Sequence, residues 1–484
     1  MKPSKRYEVL TNYGFNQFIP VALIQFCFIV IYILLKSYKK ILLGTLAGDP
    51  YVAPAIDTWA TVPMILLFLG GYLKLANHLR REQLFYLSLS VVVCPLAVLT
   101  FWIYPNGEFL SMKSETVQII REQYPHMQFL IIWIGRWVET LMCGFATLWG
   151  PVFVYMFIWQ FANDITNLVK ARFFYPVLVF LGGVPYVVGQ SIVARSVPDG
   201  IVDADQIASI LQRYMVITLA LSAAAAYIYW HYHQKAKQEN KYLPVQVPQK
   251  LYVMQSLNHA FSDAFTLRLI ILSFGMAFIL EVMSTLLSNL TAVTHVEFLQ
   301  MAEFMDSLTG WIGAMGKLTI VFVLAAIYRL RRTYWSGLSS MTGAAMSCLV
   351  VALYVFDYMG YLLKDQMIFS VPMGVAVVAT ILVLTEGTKF YWYIPAREMF
   401  FLTMSQEHRI KSKAIADLLG ISAGLTFARI VIAGTTALGN DDFFLGLPYL
   451  MGITILVAIA WLKSIVDLRG HMSKSEREPH QILD

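Results

Sequence analysis

HYHQKAKQENKYLPVQVPQK, residues 231–250, is the longest polar stretch in the chain. It carries four lysines, two prolines and no apolar period, so it reads as a linker. Around it lies a chain of 484 residues that is 58% hydrophobic and only 14% charged. Soluble domains carry nearer a quarter charged residues, so this composition belongs to a membrane protein. A membrane-spanning helix needs about 20 mainly apolar residues. Six such runs precede the linker, at 17–38, 57–76, 84–104, 128–158, 174–194 and 213–230. Six follow it, at 266–290, 308–328, 337–360, 367–392, 413–436 and 445–466.

The expected fold is an all-α membrane protein of twelve transmembrane helices in two six-helix halves. The N-terminal bundle takes residues 1–230, the cytoplasmic linker 231–262, the C-terminal bundle 263–470 and a cytoplasmic tail 471–484. A weak internal echo supports two related halves. WQFANDITNLVKARFFYP (159–176) follows the fourth run, and KFYWYIPAREMFFLTMSQEHRIKSK (389–413) follows the tenth. Both are amphipathic, basic and aromatic connectors at the same place in their halves. Paired six-helix halves describe a major-facilitator-like architecture, with solute held at mid-membrane between them.

Charge distribution sets the orientation. With the N-terminus cytoplasmic, the inner side collects 24 lysines and arginines and the outer side eight, so both termini are expected inside. The basic start MKPSKRYEVL carries neither a cleavage-site pattern nor a transit-peptide composition. The four cysteines, Cys27, Cys94, Cys143 and Cys348, lie within apolar runs and read as small core residues. Nothing in the chain calls for a cofactor, a metal or nucleic acid; the expected partners are a small anionic solute and the lipid bilayer.

The informative residues are charges where apolar ones belong. Lys36, Lys39 and Lys40 end the first span at i, i+3, i+4 spacing, which puts them on one helical face. Lysines at a span end also serve as interfacial anchors, and that reading stays open. Arg136 lies eight residues into the fourth span, Lys317 at similar depth in the eighth, and Glu281 near the middle of the seventh. Glu139 is one turn from Arg136. A charge at mid-bilayer costs at least about 2.5–3.5 kcal/mol, so such residues face a cavity or a partner. The net positive balance favours an anionic, phosphorylated solute; mutual ion pairing between helices is the alternative. Arg268 and Arg429 also fall within spans. WIGAMGKLT (311–319) fails the phosphate-loop pattern at Trp311 and after Lys317. GISAG (420–424) sits in a span, where its glycine spacing is a helix-packing signal rather than a nucleophile elbow.

TLWGPVFVYMFIWQFANDITNLVKARFFYP (147–176) resembles a segment of the nucleotide transporters, the ATP/ADP translocases of plastids and intracellular bacteria. That family's pattern runs Glu-Leu-Trp-Gly, Phe-Trp, Phe-Ala-Asn-Glu-Ile-Thr and a basic Arg-Phe-Tyr. Leu148, Trp149, Gly150, Trp159, Phe161, Ala162, Asn163, Asp164, Ile165, Thr166, Phe174 and Tyr175 keep its order. KFYWYIPAREMFFLTMSQEHRIKSKAIAD (389–417) is similar to a second family segment through Lys389, Pro395, Arg397, Glu398, Met399, Lys411, Lys413, Ala414 and Asp417. Lys36-Ser37-Tyr38-Lys39-Lys40 stands where the family has Arg-Asp-Thr-Lys-Asp, and Glu281 matches its Leu-Val-Glu-Val. The resemblance implies nucleotide exchange or uptake across a bacterial inner membrane by alternating access. It marks Lys39, Glu281 and Lys411 as transport-relevant charges. It also places Asn163, Asp164, Arg397, Glu398, Lys413 and Asp417 in segments that gate the passage or meet phosphate. The chain departs from the family at Thr147 and Ile394, each in place of an acid, and at Leu425, in place of a lysine.

The expected machinery is therefore a substrate site of Lys36, Lys39, Lys40, Arg136, Glu139, Glu281 and Lys317, with Glu281 holding a lysine until substrate releases it. Lys411 and Lys413 contact phosphate or lock the inner side, or are positive-inside charge alone. A facilitator for a smaller organic anion, a transport-inactive receptor and a membrane-embedded lipid enzyme are the rival functions.

Overall fold

The computed structural model describes residues 5–44, 56, 61–106, 112, 114–124, 127–166, 168–196, 204–238, 252–293, 367–368, 371–388, 393–404, 406–440 and 442–477. Lys317, Cys348 and the expected eighth and ninth spans lie outside the described residues. In chain order the helices are α1 (Lys5–Gly44), α2 (Thr61–Leu75), α3 (Arg81–Val98), α4 (Ser114–Gln123), α5 (Gln128–Gly135), α6 (Trp137–Trp149) and α7 (Ile158–Asp164). They continue with α8 (Leu168–Leu181), α9 (Gly183–Ser196), α10 (Ala204–Gln238), α11 (Val253–Ser262) and α12 (Ala264–Val293). A two-residue antiparallel ladder, Met367–Ile368 with Val371–Pro372, precedes α13 (Met373–Thr388). The last helices are α14 (Ile394–Phe401), α15 (Gln406–Ala414), α16 (Ile421–Leu438) and α17 (Phe443–Arg477). π-helical stretches join α6 to α7 at Gly150–Phe157 and α15 to α16 at Ile415–Gly420, and a third extends α3 at Leu99–Ile103.

Among the described residues, eight helical stretches are long and apolar enough to cross a membrane, and Thr61–Leu75 and Met373–Leu382 are shorter apolar helices. These ten fall on ten of the twelve expected spans. Three details differ from the sequence reading. Helix α10 runs on to Gln238, through the start of the polar stretch, because lysine, glutamine and alanine propagate a helix and no proline intervenes before Pro244. The fourth span is not one uninterrupted helix: Arg136, at φ −119° and ψ 41°, separates α5 from α6. The Arg136–Glu139 pair therefore sits at the start of the apolar stretch Trp137–Asp164, not part-way along a longer helix. Cys94 is exposed, because it lies on the outward face of α3, while Cys27 and Cys143 are buried.

The residues form two compact units. The first gathers 1–166, 181–257 and 406–418; the second gathers 167–180, 258–405 and 419–484. Each unit thus includes a short segment from the other half of the sequence, and those two segments lie in the echoing connectors. In the first unit, α1 is the central helix. The Trp149 indole donates to the Phe28 carbonyl at 3.0 Å, and its ring meets Phe28 and Phe153. A Cβ on Gly150 would come within 2.9 Å of the Tyr32 ring. The Leu148-Trp149-Gly150 motif therefore seats the fourth span on the first.

In the second unit, α12 plays the same part. The Trp461 indole donates to the Leu272 carbonyl at 2.9 Å, and Gly275 makes room for its ring. Helix α16 crosses α12 closely: a Cβ at Gly424 would stand 2.3 Å from the Phe274 carbonyl oxygen. Gly420 similarly faces Ser273 and Ile270. The GISAG glycines are packing residues, as their spacing indicates.

Asp263 starts α12. Its carboxylate accepts from the Thr266 hydroxyl at 2.6 Å and amide at 3.0 Å, and from the Phe265 amide at 3.4 Å. Burial alone would raise its pKa, but these bonds and His259 outweigh burial and hold it below the usual carboxylate value.

Two predictions follow from this packing. Gly424→Ala forces the helices apart and should cost about 1–3 kcal/mol. Gly434→Ala, on the same helix with open space around it, should be neutral or stabilising by up to about 1 kcal/mol. Thermal unfolding in detergent compares the two. Asp263→Ala should cost about 1 kcal/mol at pH 7 through the lost cap. Because the folded carboxyl is the stronger acid, that stabilisation is present above its unfolded value. It is lost as pH falls through the folded one, so wild type and variant should converge in acid.

Candidate functional site

Five groups of charged side chains stand out, each within one unit. At the junction of α5 and α6 the Arg136 guanidinium donates to Glu139 at 3.4 Å, and Glu139 is buried. Helix α1 packs on α6. On α1, Lys36 and Lys40 are exposed and Lys39 is half-buried, while Tyr38 between them is fully buried with its hydroxyl 2.6 Å from that of Thr100. The lysine spacing thus produces one polar face, and Tyr38 anchors the opposite one.

At the end of α7, the Asp164 carboxylate is shared by two arginines. It pairs with Arg81 at the start of α3, and accepts from Arg409 of α15 at 3.3 Å. Asn163 beside it is buried. Two residues further along α15, Lys411 donates to the Asn77 side-chain carbonyl at 2.7 Å. Lys413 lies fully buried 2.8 Å from Asp417, itself fully buried one turn on in the π-helical stretch. The segment 406–418 is thereby held to the end of α7 through Asp164 and to Asn77, just past α2. Arg81, Asn77 and Arg409 were not singled out in the sequence. Arginines at span ends look like ordinary positive-inside charge, and only the fold brings them to Asp164.

In the second unit, Arg397 and Glu398 are both buried. Arg397 donates to Glu398 at 2.9 Å and to the Ser273 hydroxyl of α12 at 2.8 Å, with the Tyr393 and Phe401 rings 5.9 Å from its guanidinium carbon. These two charges sit in packed interior and pair with one another there. Deeper in the apolar helices, the Arg429 guanidinium of α16 donates to Glu281 of α12 at 2.5 Å. The expectation that Glu281 holds a lysine is corrected: its partner is an arginine, because the crossing at Gly424 aligns the two helices so that residues 281 and 429 meet. Near the other end of α12, Arg268 pairs with Asp467 of α17 at 3.2 Å. Among the described residues, no group of three or more His, Cys, Asp or Glu side chains could hold a metal ion.

Residues 5–472 match the family described as the TLC ATP/ADP transporter. The chain belongs to the TLC ATP/ADP transporter family. The "ADP,ATP carrier protein 1" of Rickettsia bellii is 23% identical over 96% of this chain and 94% of its own length. "ADP,ATP carrier protein 4" of Rickettsia conorii is 25% identical over 87% and 84%. Among solved structures, a bacterial homologue of the iron transporter ferroportin in an outward-facing state superposes with a TM-score of 0.60, at 13% identity over 93% of this chain and 98% of that one. The major facilitator superfamily transporter FucP superposes at 0.51, with 9% identity over 93% and 99%. The fold of this TLC-family chain is therefore major-facilitator-like, and the chain is an integral membrane transporter.

Three positions read from the sequence as departures from the family pattern have plain local surroundings. Thr147, in place of an acid, donates to the Cys143 carbonyl of its own helix at 2.7 Å. Ile394 is buried apolar surface. Leu425 stands one turn before Arg429 on α16. Removing one member of the buried pair tests the reading of Arg397 and Glu398 as interior partners. Glu398→Gln leaves an uncompensated arginine and should cost about 3–5 kcal/mol, seen as lost monodisperse protein. Arg397→Met combined with Glu398→Leu should recover much of it.

Proposed function

We propose that this chain carries a nucleotide or nucleotide-like anion across a bacterial inner membrane by alternating access, with both termini cytoplasmic. Bundles 1–230 and 263–470, joined by residues 231–262, are the two halves that alternate. The observation that carries the proposal is the state of three arginines, Arg268 and Arg429 inside apolar stretches and Arg136 at the start of one. Arg136, Arg268 and Arg429 are each held by one carboxylate. A polyphosphate offers several anionic oxygens to the same guanidinium groups and competes for them. Lys36, Lys39 and Lys40 form a polar face on α1 suited to drawing such an anion in.

Arg81, Asp164 and Arg409, with Lys411 on Asn77 and Lys413 on Asp417, act as the inner latch. The latch is electrostatic and local, so it can open without unfolding a helix. Asn163, buried beside Asp164, supports the latch, and Arg397 and Glu398 hold one another within the second unit rather than meet the substrate. Lys317 is kept as a substrate contact on sequence grounds. The names of the relatives favour adenine nucleotides as the anion, in exchange or in proton-coupled uptake.

Uptake of labelled ATP and ADP into bacteria expressing the chain tests this. Uptake above empty cells is expected, with faster efflux when external nucleotide is present if exchange operates. Lys39→Ala removes a charge-assisted contact of roughly 1.5–3 kcal/mol and should lower uptake about 10–100-fold. Asp164→Asn should lower uptake while leaving equilibrium binding of ATP in place. Transport unchanged in both variants would sink these assignments.

A further inference from the structure

Helix α15 is attached from two sides. Arg409 donates to Asp164, at the end of α7, at 3.3 Å, and Lys411 donates to Asn77, just past α2, at 2.7 Å. Residues two apart on a helix lie about 200° apart around its axis, so these two side chains leave α15 in nearly opposite directions. The helix therefore stands between its two seats. From Arg409 to Leu418 every residue is buried.

The two seats are tied to one another by a contact that carries no charge. The Tyr72 hydroxyl of α2 donates to the Gln160 side-chain carbonyl of α7 at 3.3 Å, and the amide nitrogen of the same side chain lies 3.3 Å from that hydroxyl oxygen. Tyr72 is buried, and its ring meets the edge of Phe157 with 6.1 Å between centroids. Gln160 stands one turn before Asp164, about 6 Å along α7 at 1.5 Å per residue. On the other helix the amide of Ala76, the neighbour of Asn77, donates to the Tyr72 carbonyl at 2.8 Å. Each seat is thus about one turn away from the same hydrogen bond. The second contact of a two-point attachment forms within the molecule, and its gain depends on a spacing that lets both be made at once.

We infer that Tyr72 and Gln160 are positioning residues of the inner latch: their hydrogen bond sets the spacing of Asp164 and Asn77, so that Arg409 and Lys411 are engaged together. Neither side chain meets the transported solute. The inference rests on the proposed latch and names the pair that keeps its two seats in register.

The test is hydrogen–deuterium exchange of the purified full-length protein in lipid nanodiscs, read by mass spectrometry over residues 406–418, with residues 21–35 of α1 as the internal reference. Tyr72→Phe keeps the ring and removes only the hydroxyl; Gln160→Leu removes the amide. Each should speed exchange over 406–418 about 2–10-fold, the range for one neutral hydrogen bond, and leave the reference unchanged. The double variant should be no faster than the faster single one, because the two residues act as one pair. Gln160→Glu keeps an acceptor for the Tyr72 hydroxyl and should restore protection; with Tyr72→Phe it decides the matter if Gln160→Leu does not fold. Adding Tyr72→Phe to Asp164→Asn should change exchange no further, because a lost seat needs no spacing. In uptake of labelled ATP, Tyr72→Phe should lower the maximal rate about 2–10-fold and leave the half-saturating concentration unchanged. Unchanged exchange over 406–418, equal speeding in the reference, or additive effects in the double variant each overturn the positioning role and leave the nucleotide reading standing. Where wild type takes up ATP, altered exchange with an unaltered uptake rate overturns it as well. The expected exchange pattern in a protein that neither binds nor carries ATP or ADP overturns the nucleotide reading and leaves the positioning role standing.

Discussion

A charge inside an apolar helix must meet a counter-charge, and this requirement governs where the helices of this protein can sit. Arg136, Arg268 and Arg429 fall within expected spans, and each is found against one carboxylate: Glu139, Asp467 and Glu281. The pairs add little net stability, because removing two ions from water offsets most of their attraction. Breaking one without replacement is what costs.

Which charges meet is set by packing that carries no charge at all. The close crossing at Gly424 fixes how α12 lies along α16, and Glu281 and Arg429 follow from that alignment. Trp149 and Trp461 make a comparable lock in each unit by donating an indole hydrogen to a carbonyl of the central helix. The Leu148-Trp149-Gly150 motif, which helped to mark the family, owes its shape to this packing and makes no demand on substrate.

The two echoing connectors divide between the units in a reciprocal way. Residues 167–180 belong with the unit that holds 258–405, and residues 406–418 with the unit that holds 1–166. Within the first unit the borrowed segment is attached by Arg409 to Asp164, by Lys411 to Asn77 and by apolar residues such as Ala414 and Ile415, which are fully buried. Asp164 also holds Arg81, so one carboxylate ties the attachment to the start of α3.

The fold class was legible in the sequence because the bilayer accepts few solutions. Long apolar runs must be helices, and the positions of the polar breaks give their number and order. The lysine face on α1, the Arg136–Glu139 pair and the packing role of Gly420 and Gly424 were legible for the same reason, since each depends on spacing along one helix. The partners of Glu281, Asp164 and Lys411 were not, because they come from residues 148, 245 and 334 positions away. The side-chain chemistry of Arg81 or Arg429 is identical whether it marks topology, satisfies a neighbour or meets a substrate. Local pattern determined the helices and which face of each is polar. Only the tertiary crossing of those helices decided which acid answers which base, because that choice depends on a few ångströms of separation that no one-dimensional spacing contains.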